Sequence, residues 1–228
     1  MTSRHSLDSI AVLRHLSENA RIALERRVVW TEVDQNALIL DYEEQTSDVR
    51  IVLRGEVRAL HRAAMGKEVI LGDIGPGSLF GEMAALDGQG RSAAVIALSR
   101  SVVGKLSGPV FVEAVTSHPD ASKALLVTLA GRIRDLNRRL AEHVYLTARQ
   151  RLCAELLRLS KPRLGDQSVR VITPPPLQQV IADRIGARRE VVTRELSALG
   201  KAGVVEKERG ALILTDPTAL TAILTESE

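Results

Sequence analysis

Between Pro119 and Thr147 the chain reads PDASKALLVTLAGRIRDLNRRLAEHVYLT, with no proline after the first residue. That predicts one long helix. Its apolar residues Leu126, Leu129, Ile133, Leu136 and Leu140 are spaced three, four, three and four apart. The spacing is that of an a/d seam, which wants a second helix alongside it. Arg132, Arg134, Arg138 and Arg139 are too charged for the seam and fall beside it or face water. One face of a core helix is the alternative that so short a repeat leaves open. Strands and glycine turns are expected before this helix, and short helices after it. It therefore joins two modules and, if it dimerises, pairs both of them.

A chain of 228 residues has room for two modest domains with real cores. No apolar run approaches a membrane span. Met1 to Asp8 lacks the apolar core of a signal peptide, so a cytoplasmic protein without a membrane partner is expected. The single cysteine, Cys153, rules out an internal disulfide or a cysteine-based metal site and reads as a buried thiol. Charge is unevenly shared: residues 1–147 hold 18 Lys+Arg against 18 Asp+Glu, and residues 148–228 hold 13 against 10. The whole excess of +3 thus sits in the C-terminal part, where a polyanion would dock. One Trp, two Tyr and two Phe supply no stacking platform for single-stranded nucleic acid. Reading the grooves of a duplex needs none.

Leu7 to Val29 reads as one or two short helices, with Leu13, Leu16, Ile22 and Leu24 as core candidates and a cap at Ser17. From Trp30 the texture changes. Aliphatic runs at Ala37–Leu40, Val49–Leu53, Val57–Leu60, Val69–Leu71 and Val95–Leu98 are separated by Gly55, Gly66, Gly72, Gly75-Pro76-Gly77 and Gly88-Gln89-Gly90. Short strands with turn signals every dozen residues or so predict an antiparallel β-roll, a jelly roll. A helix resumes at about Val110–Val115.

After Thr147 the pattern gives a helix from Arg149 to Leu159, a surface turn from Lys161 to Asp166 and a strand at Val169–Ile172. Pro174-Pro175-Pro176 leads into a helix from Leu177 to Ile185; Gly186-Ala187-Arg188 turns, and Arg189–Lys201 is helical again. Val204-Val205 and Ala211–Leu214 form a hairpin, and Asp216-Pro217 starts a last short helix. Two helices joined by a three-residue turn and followed by a hairpin make a winged helix-turn-helix. Val192, Leu196 and Leu199 point inward, which leaves Arg189, Glu190, Thr193, Arg194, Ser197 and Lys201 outward, with Arg188 in the turn before them. Arginine can donate two hydrogen bonds to guanine, and glutamate can accept one from cytosine. A solvated face of mutually paired charges is the plainer alternative.

Within the roll the most informative stretch is FGEMAALDGQGRSAAV, Phe80 to Val95. A glycine lets backbone approach a phosphate, and an arginine supplies the countercharge. Ser92 adds a hydroxyl. Glu82 would be repelled by phosphate, so a sugar hydroxyl is its natural partner, and phosphate beside sugar means a nucleotide. A glycine-rich turn closed by a Glu82–Arg91 salt bridge is the alternative these residues leave open.

Across nearly its whole length the sequence resembles the cyclic-AMP receptor protein (CRP/FNR) family of bacterial transcription regulators. Gly81-Glu82 before a short helix and Arg91-Ser92-Ala93 after it resemble that family's phosphate-binding cassette. The resemblance implies that Glu82 binds the ribose 2′-hydroxyl, that Arg91 and Ser92 bind the cyclic phosphate, and that Gly81, Met83 and Ala93 complete the contact. The stretch Arg132-Ile133-Arg134-Asp135-Leu136-Asn137 matches the part of the dimer helix that closes over the base. Arg132, Leu136 and Asn137 are then expected at the pocket, Asn137 either in its own or across the seam. Arg189, Glu190 and Arg194 match the family's DNA-reading residues and imply a G-T-G-A-like half-site.

The fold implied is α+β: a cyclic-nucleotide-binding β-roll over residues 1–118, a dimerisation helix over 119–147, and a winged helix-turn-helix over 148–228. The expected effector is cyclic AMP, with cyclic GMP the alternative, and no metal. The expected partners are double-stranded DNA at a near-palindromic operator, a second copy of the chain and, at Lys161–Asp166, RNA polymerase. Three departures stand out. Leu136 and Asn137 replace the Thr and Ser of the best-known member, Asp41–Asp48 lacks a turn glycine, and the oxygen-sensing branch's cysteine set is absent. The histidines (His5, His15, His61, His118, His143) fall in no haem motif. An enzyme is the rival class. No Walker lysine follows a glycine-rich loop and no catalytic triad is recognisable, so a non-enzyme is expected.

Overall fold

Strands form where the aliphatic runs stand, and every pairing is antiparallel. The structure, a computed structural model, describes residues 6–62 and 68–225, so the expected turn at Gly66 lies outside the described residues. The chain divides into a unit up to Ile133 and a unit from Arg134.

The first unit begins with two tight helical turns, and then α1 (Glu18–Glu25) starts at Ser17, whose side chain accepts from the Ala20 N–H. There follow β1 (Val29–Val33), β2 (Leu38–Leu40), β3 (Val49–Arg54), β4 (Val57–Arg62), β5 (Glu68–Ile74), β6 (Leu79–Phe80), α2 (Glu82–Asp87), β7 (Ala94–Ala97), β8 (Ser101–Leu106), α3 (Gly108–Thr116) and the long α4 (Pro119–Tyr145). The strands form two four-stranded sheets, β1-β8-β3-β6 and β2-β7-β4-β5. Val52, Phe80 and Val103 from the first sheet meet Leu40, Val57 and Val95 from the second, which makes the interior of the roll. Val49, Ile51, Leu79 and Leu106 belong to a second cluster with Leu7, Leu13, Phe111 and Leu125, which ties the roll to α3 and the start of α4.

Three local expectations need correction. Gly72 lies inside β5, opposite Ala59, where the register slips before Leu60 pairs with Ile70. It marks a bulge rather than a turn. Strand β8 has no legible strand pattern because Gly104 interrupts its aliphatic run. That glycine is required, since a Cβ there would stand 2.7 Å from the Val28 side chain and 2.8 Å from Trp30. Ile22 is exposed, while Leu13, Leu16 and Leu24 are buried.

In the second unit α5 (Ala148–Leu159) opens on a capping box, in which Thr147 and Gln150 each accept the other's backbone N–H. Then come β9 (Lys161–Arg163), β10 (Asp166–Ile172), α6 (Gln178–Ile185), α7 (Arg189–Lys201), β11 (Val205–Glu208), β12 (Ala211–Leu214) and α8 (Pro217–Ile223). The surface turn expected at Lys161–Asp166 is in fact a hairpin of β9 and β10. Because β10 also pairs with β12, the wing belongs to a four-stranded sheet, β11-β12-β10-β9. Leu152, Leu156, Ile181, Ile185, Val192, Leu196 and Leu199 share one core with buried Cys153.

The end of α4 is fastened to this core. Arg158 reaches Glu142 at 2.6 Å and also pairs with buried Glu155, which meets Arg184 at 3.3 Å. Arg151 donates to the carbonyls of Leu146 (2.7 Å) and Ile185 (2.9 Å). At Gly186, φ +61°, the His143 ring lies 2.6 Å from where a Cβ would be. Along α4 itself, Ala121 and Leu125 are buried and Leu129 is half-buried. Leu126, Ile133, Leu136, Leu140 and Val144 are 58–66 % exposed.

Phe111 is fully buried in the cluster that joins roll to helices. Phe111→Ala is therefore expected to destabilise the first unit by about 3–5 kcal/mol, read as an earlier urea midpoint. An unchanged midpoint would contradict its place in that core.

Candidate functional site

Strand β6 ends at Phe80, and Gly81, with φ +77°, turns the chain into α2. A Cβ at Gly81 would stand 2.7 Å from Arg91 Nη1 and 3.2 Å from the Asp48 carbonyl oxygen, so the close approach needs glycine. The turn brings Gly81, Glu82, Met83, Arg91, Ser92 and Ala93 around one cavity of about 90 Å3, which Arg132 also lines. Six cassette positions and one helix arginine singled out from sequence are thus assembled.

The side chains make pairings that sequence did not settle. Glu82 is 1 % exposed, and one of its carboxylate oxygens, Oε1, accepts a charge-assisted hydrogen bond from Arg132 Nη1. Arg132 Nη2 donates to the Leu79 carbonyl at 2.6 Å. The other oxygen, Oε2, is buried and accepts no hydrogen bond among the described residues. A carboxylate oxygen so placed wants a donor. The salt bridge weighed as an alternative, Glu82 with Arg91, is replaced by Glu82 with Arg132.

Arg91 is 2 % exposed and held by other groups. Its Nε donates to Thr46 Oγ1 (3.0 Å), its Nη1 to the Gly81 carbonyl (2.9 Å) and its Nη2 to the Asp48 carbonyl (2.8 Å). Burial lowers its pKa from the ordinary arginine value, and the nearby Asp48 and Glu44 oppose that shift. Its backbone pairs with the Asp41–Asp48 loop: Glu43 N–H donates to the Arg91 carbonyl, and Arg91 N–H to that of Glu44. Glu43 itself takes the positive φ, 60°, in a loop that has no glycine. Ser92 is exposed, with its hydroxyl 3.7 Å from Met83 sulfur. Leu136 and Asn137 are exposed on α4 and are not among the residues lining the cavity. Sequence reasoning missed Thr46 and Asp48, whose loop carries no periodic signal.

In the second unit α7 has two faces. Val192, Leu196 and Leu199 are buried; Arg188, Arg189, Glu190, Thr193, Arg194, Ser197 and Lys201 are exposed. A groove of about 730 Å3 runs along the exposed side. Gln178, at the start of α6 and not marked by any sequence pattern, also lines it and accepts a 2.7 Å hydrogen bond from the Thr193 hydroxyl. Arg194 pairs with its neighbour Glu195 at 2.9 Å. Arg189, Glu190 and Lys201 line the same groove and form no ion pair among the described residues.

Comparison with known proteins fits both halves. Residues 30–118 match the cyclic nucleotide-binding domain, and residues 150–223 match the Crp-like helix-turn-helix domain. A nucleotide-binding roll joined to that module defines a class, the cyclic-nucleotide-binding transcription regulators. The cyclic AMP receptor protein of Thermus thermophilus is 31% identical over 177 residues, 76% of this chain and 77% of that protein. The CRP-like cAMP-activated global transcriptional regulator of Mycobacterium tuberculosis is 25% identical over 212 residues, 92% and 94% of the two chains. The chain belongs to the CRP/FNR family. A CooA mutant from Carboxydothermus hydrogenoformans, 20% identical, shares the fold with a TM-score of 0.79 over 99% of this chain and 98% of that one. Among the described residues no group of three or more His, Cys, Asp or Glu could hold a metal ion. No helix among them is long and apolar enough to cross a membrane.

If Arg189 reads a base edge and Lys201 touches only phosphate, two substitutions on α7 tell the roles apart. Arg189→Ala is expected to reduce discrimination at one base-pair position by about 1–3 kcal/mol. Lys201→Ala should weaken all sequences alike and flatten the salt dependence of binding. Titrations of operator and scrambled duplex at several salt concentrations distinguish the two, and identical behaviour of both variants would contradict the division.

Proposed function

We propose that this regulator is a homodimer that binds a near-palindromic DNA operator when cyclic AMP occupies the cradle around Glu82 and Arg91. The observation that carries the reading is Glu82 Oε2, buried beside a glycine turn and lacking a hydrogen bond among the described residues. A ribose hydroxyl is a donor of the right kind, and the cationic Arg91 across the same cavity suits a phosphate. Cyclic AMP is favoured over cyclic GMP because the Thermus and Mycobacterium relatives carry cyclic AMP in their names. In this reading residues 1–118 sense, 119–147 dimerise and 148–228 bind DNA.

Coupling follows from Arg132. It belongs to α4, yet its guanidinium bonds Glu82 and the Leu79 carbonyl inside the cradle. A cavity of about 90 Å3 is well below the roughly 300–1,000 Å3 of ordinary small-molecule pockets. In this reading a nucleotide shares Glu82 with Arg132 or displaces it, and a difference in contact of that kind is what shifts a two-state equilibrium. The exposed stripe from Leu126 to Val144 supports pairing of α4 with a second copy. The β9–β10 hairpin, with Leu164 fully exposed near its tip, is the surface offered to RNA polymerase.

Calorimetric titration tests the sensor. Arg91→Leu should weaken cyclic AMP at least about tenfold, the worth of one lost charge-assisted hydrogen bond. Undiminished affinity would sink the assignment. Light scattering tests assembly: Ile133→Asp places a charge in the exposed stripe and is expected to yield monomers that no longer bind the operator specifically. A mutant that stays dimeric would remove α4 as the interface.

A further inference from the structure

Behind the cradle stands a carboxylate that does not line it. Asp48, the last loop residue before β3, is 12 % exposed and faces three cations. Its Oδ2 lies 2.8 Å from Arg50 Nε and 3.6 Å from Arg91 Nη2, and its Oδ1 lies 3.7 Å from Lys105 Nζ. Arg50 and Lys105 are directly opposed across β3 and β8, so their charges converge on Asp48 by register. Oδ2 accepts no well-formed hydrogen bond among the described residues, and its part in the cluster is therefore one of charge.

Arg91 does not need that charge for its orientation. Thr46 Oγ1 and the carbonyls of Gly81 and Asp48 already fix its guanidinium, and any residue at position 48 supplies the same carbonyl. The Asp48 side chain, which does not line the cavity, adds a negative charge 3.6 Å from Arg91 Nη2. An incoming phosphate would meet an arginine already partly neutralised, together with direct repulsion from the carboxylate. Because Arg91 is almost wholly buried, solvent screens these interactions weakly.

We infer that Asp48 is an internal counter-anion that competes electrostatically with the effector's phosphate for Arg91 and thereby sets effector affinity. The inference rests on the cyclic-nucleotide reading of the cradle. It makes Asp48 a residue that tunes affinity from outside the pocket, with Arg50 and Lys105 sharing its charge.

The test is calorimetric titration of cyclic AMP into the full-length chain and its Asp48→Asn, Asp48→Leu and Asp48→Glu variants, with folding checked by circular dichroism. Asn and Leu both remove the charge and should tighten binding about five- to tenfold, whereas Glu should leave it near the wild-type value. Using two neutral variants of different shape keeps the test decisive if one fails to fold. Binding by a neutral variant where wild type shows none also supports the inference. If wild type binds and the neutral variants bind equally or more weakly, the counter-anion is overturned while the cradle reading stands. A change in Asp48→Glu as large as in Asp48→Asn would show that shape rather than charge matters, and overturns it too. If neither wild type nor any variant binds, both readings fall together.

Discussion

A buried carboxylate is costly unless a cation reaches it, and the cation that reaches Glu82 comes from outside the roll. Arg132 belongs to α4. The cradle built by β6, α2 and the Asp41–Asp48 loop is therefore electrostatically incomplete until the long helix is packed in place. Ala121 and Leu125 do that packing, seated in the same cluster as Phe111 and Leu13. Hydrophobic burial at the start of α4 and ion pairing two turns further on support each other. Neither would persist if the helix were displaced.

The second unit repeats the device with signs exchanged. There α4 contributes the carboxylate, Glu142, and the helix-turn-helix body supplies Arg158, itself held by Glu155. Arg132 and Glu142 stand on one continuous helix, separated by the exposed apolar residues Ile133, Leu136 and Leu140. A single element thus ends in a directional charge pair in each unit and presents a non-directional stripe between them. Ion pairs fix orientation, whereas apolar contact is non-directional.

Much of this was legible before any coordinates. Alternating aliphatics and turn glycines marked the roll, the seven-residue spacing marked α4, and the three-residue turn marked the helix-turn-helix. The cassette positions stood out because glycine, glutamate and arginine each answer a distinct chemical need. Partner choice was not legible. Glu82 had Arg91 nearby in sequence and Arg132 fifty residues away, and only packing decides that the distant one pairs with it. Thr46 and Asp48 hold Arg91 from a loop without pattern, more than forty residues earlier. Strand β8 was hidden by Gly104, whose absent side chain makes room for Trp30, and the four-stranded wing sheet by Pro162 and Gly165, which read as a bare turn.

The fastening at the end of α4 has a geometric consequence. Arg151 ties the Leu146 carbonyl to that of Ile185, and His143 lies against Gly186, so the last turns of α4 are held against the α6–α7 corner. An α-helix advances about 1.5 Å and rotates about 100° per residue. One residue inserted between His143 and Leu146 would therefore carry the His143 ring roughly a quarter-turn away from Gly186, relative to the Leu146 carbonyl that Arg151 holds. The spacing of those two contacts acts as an angular setting for the last turns of α4.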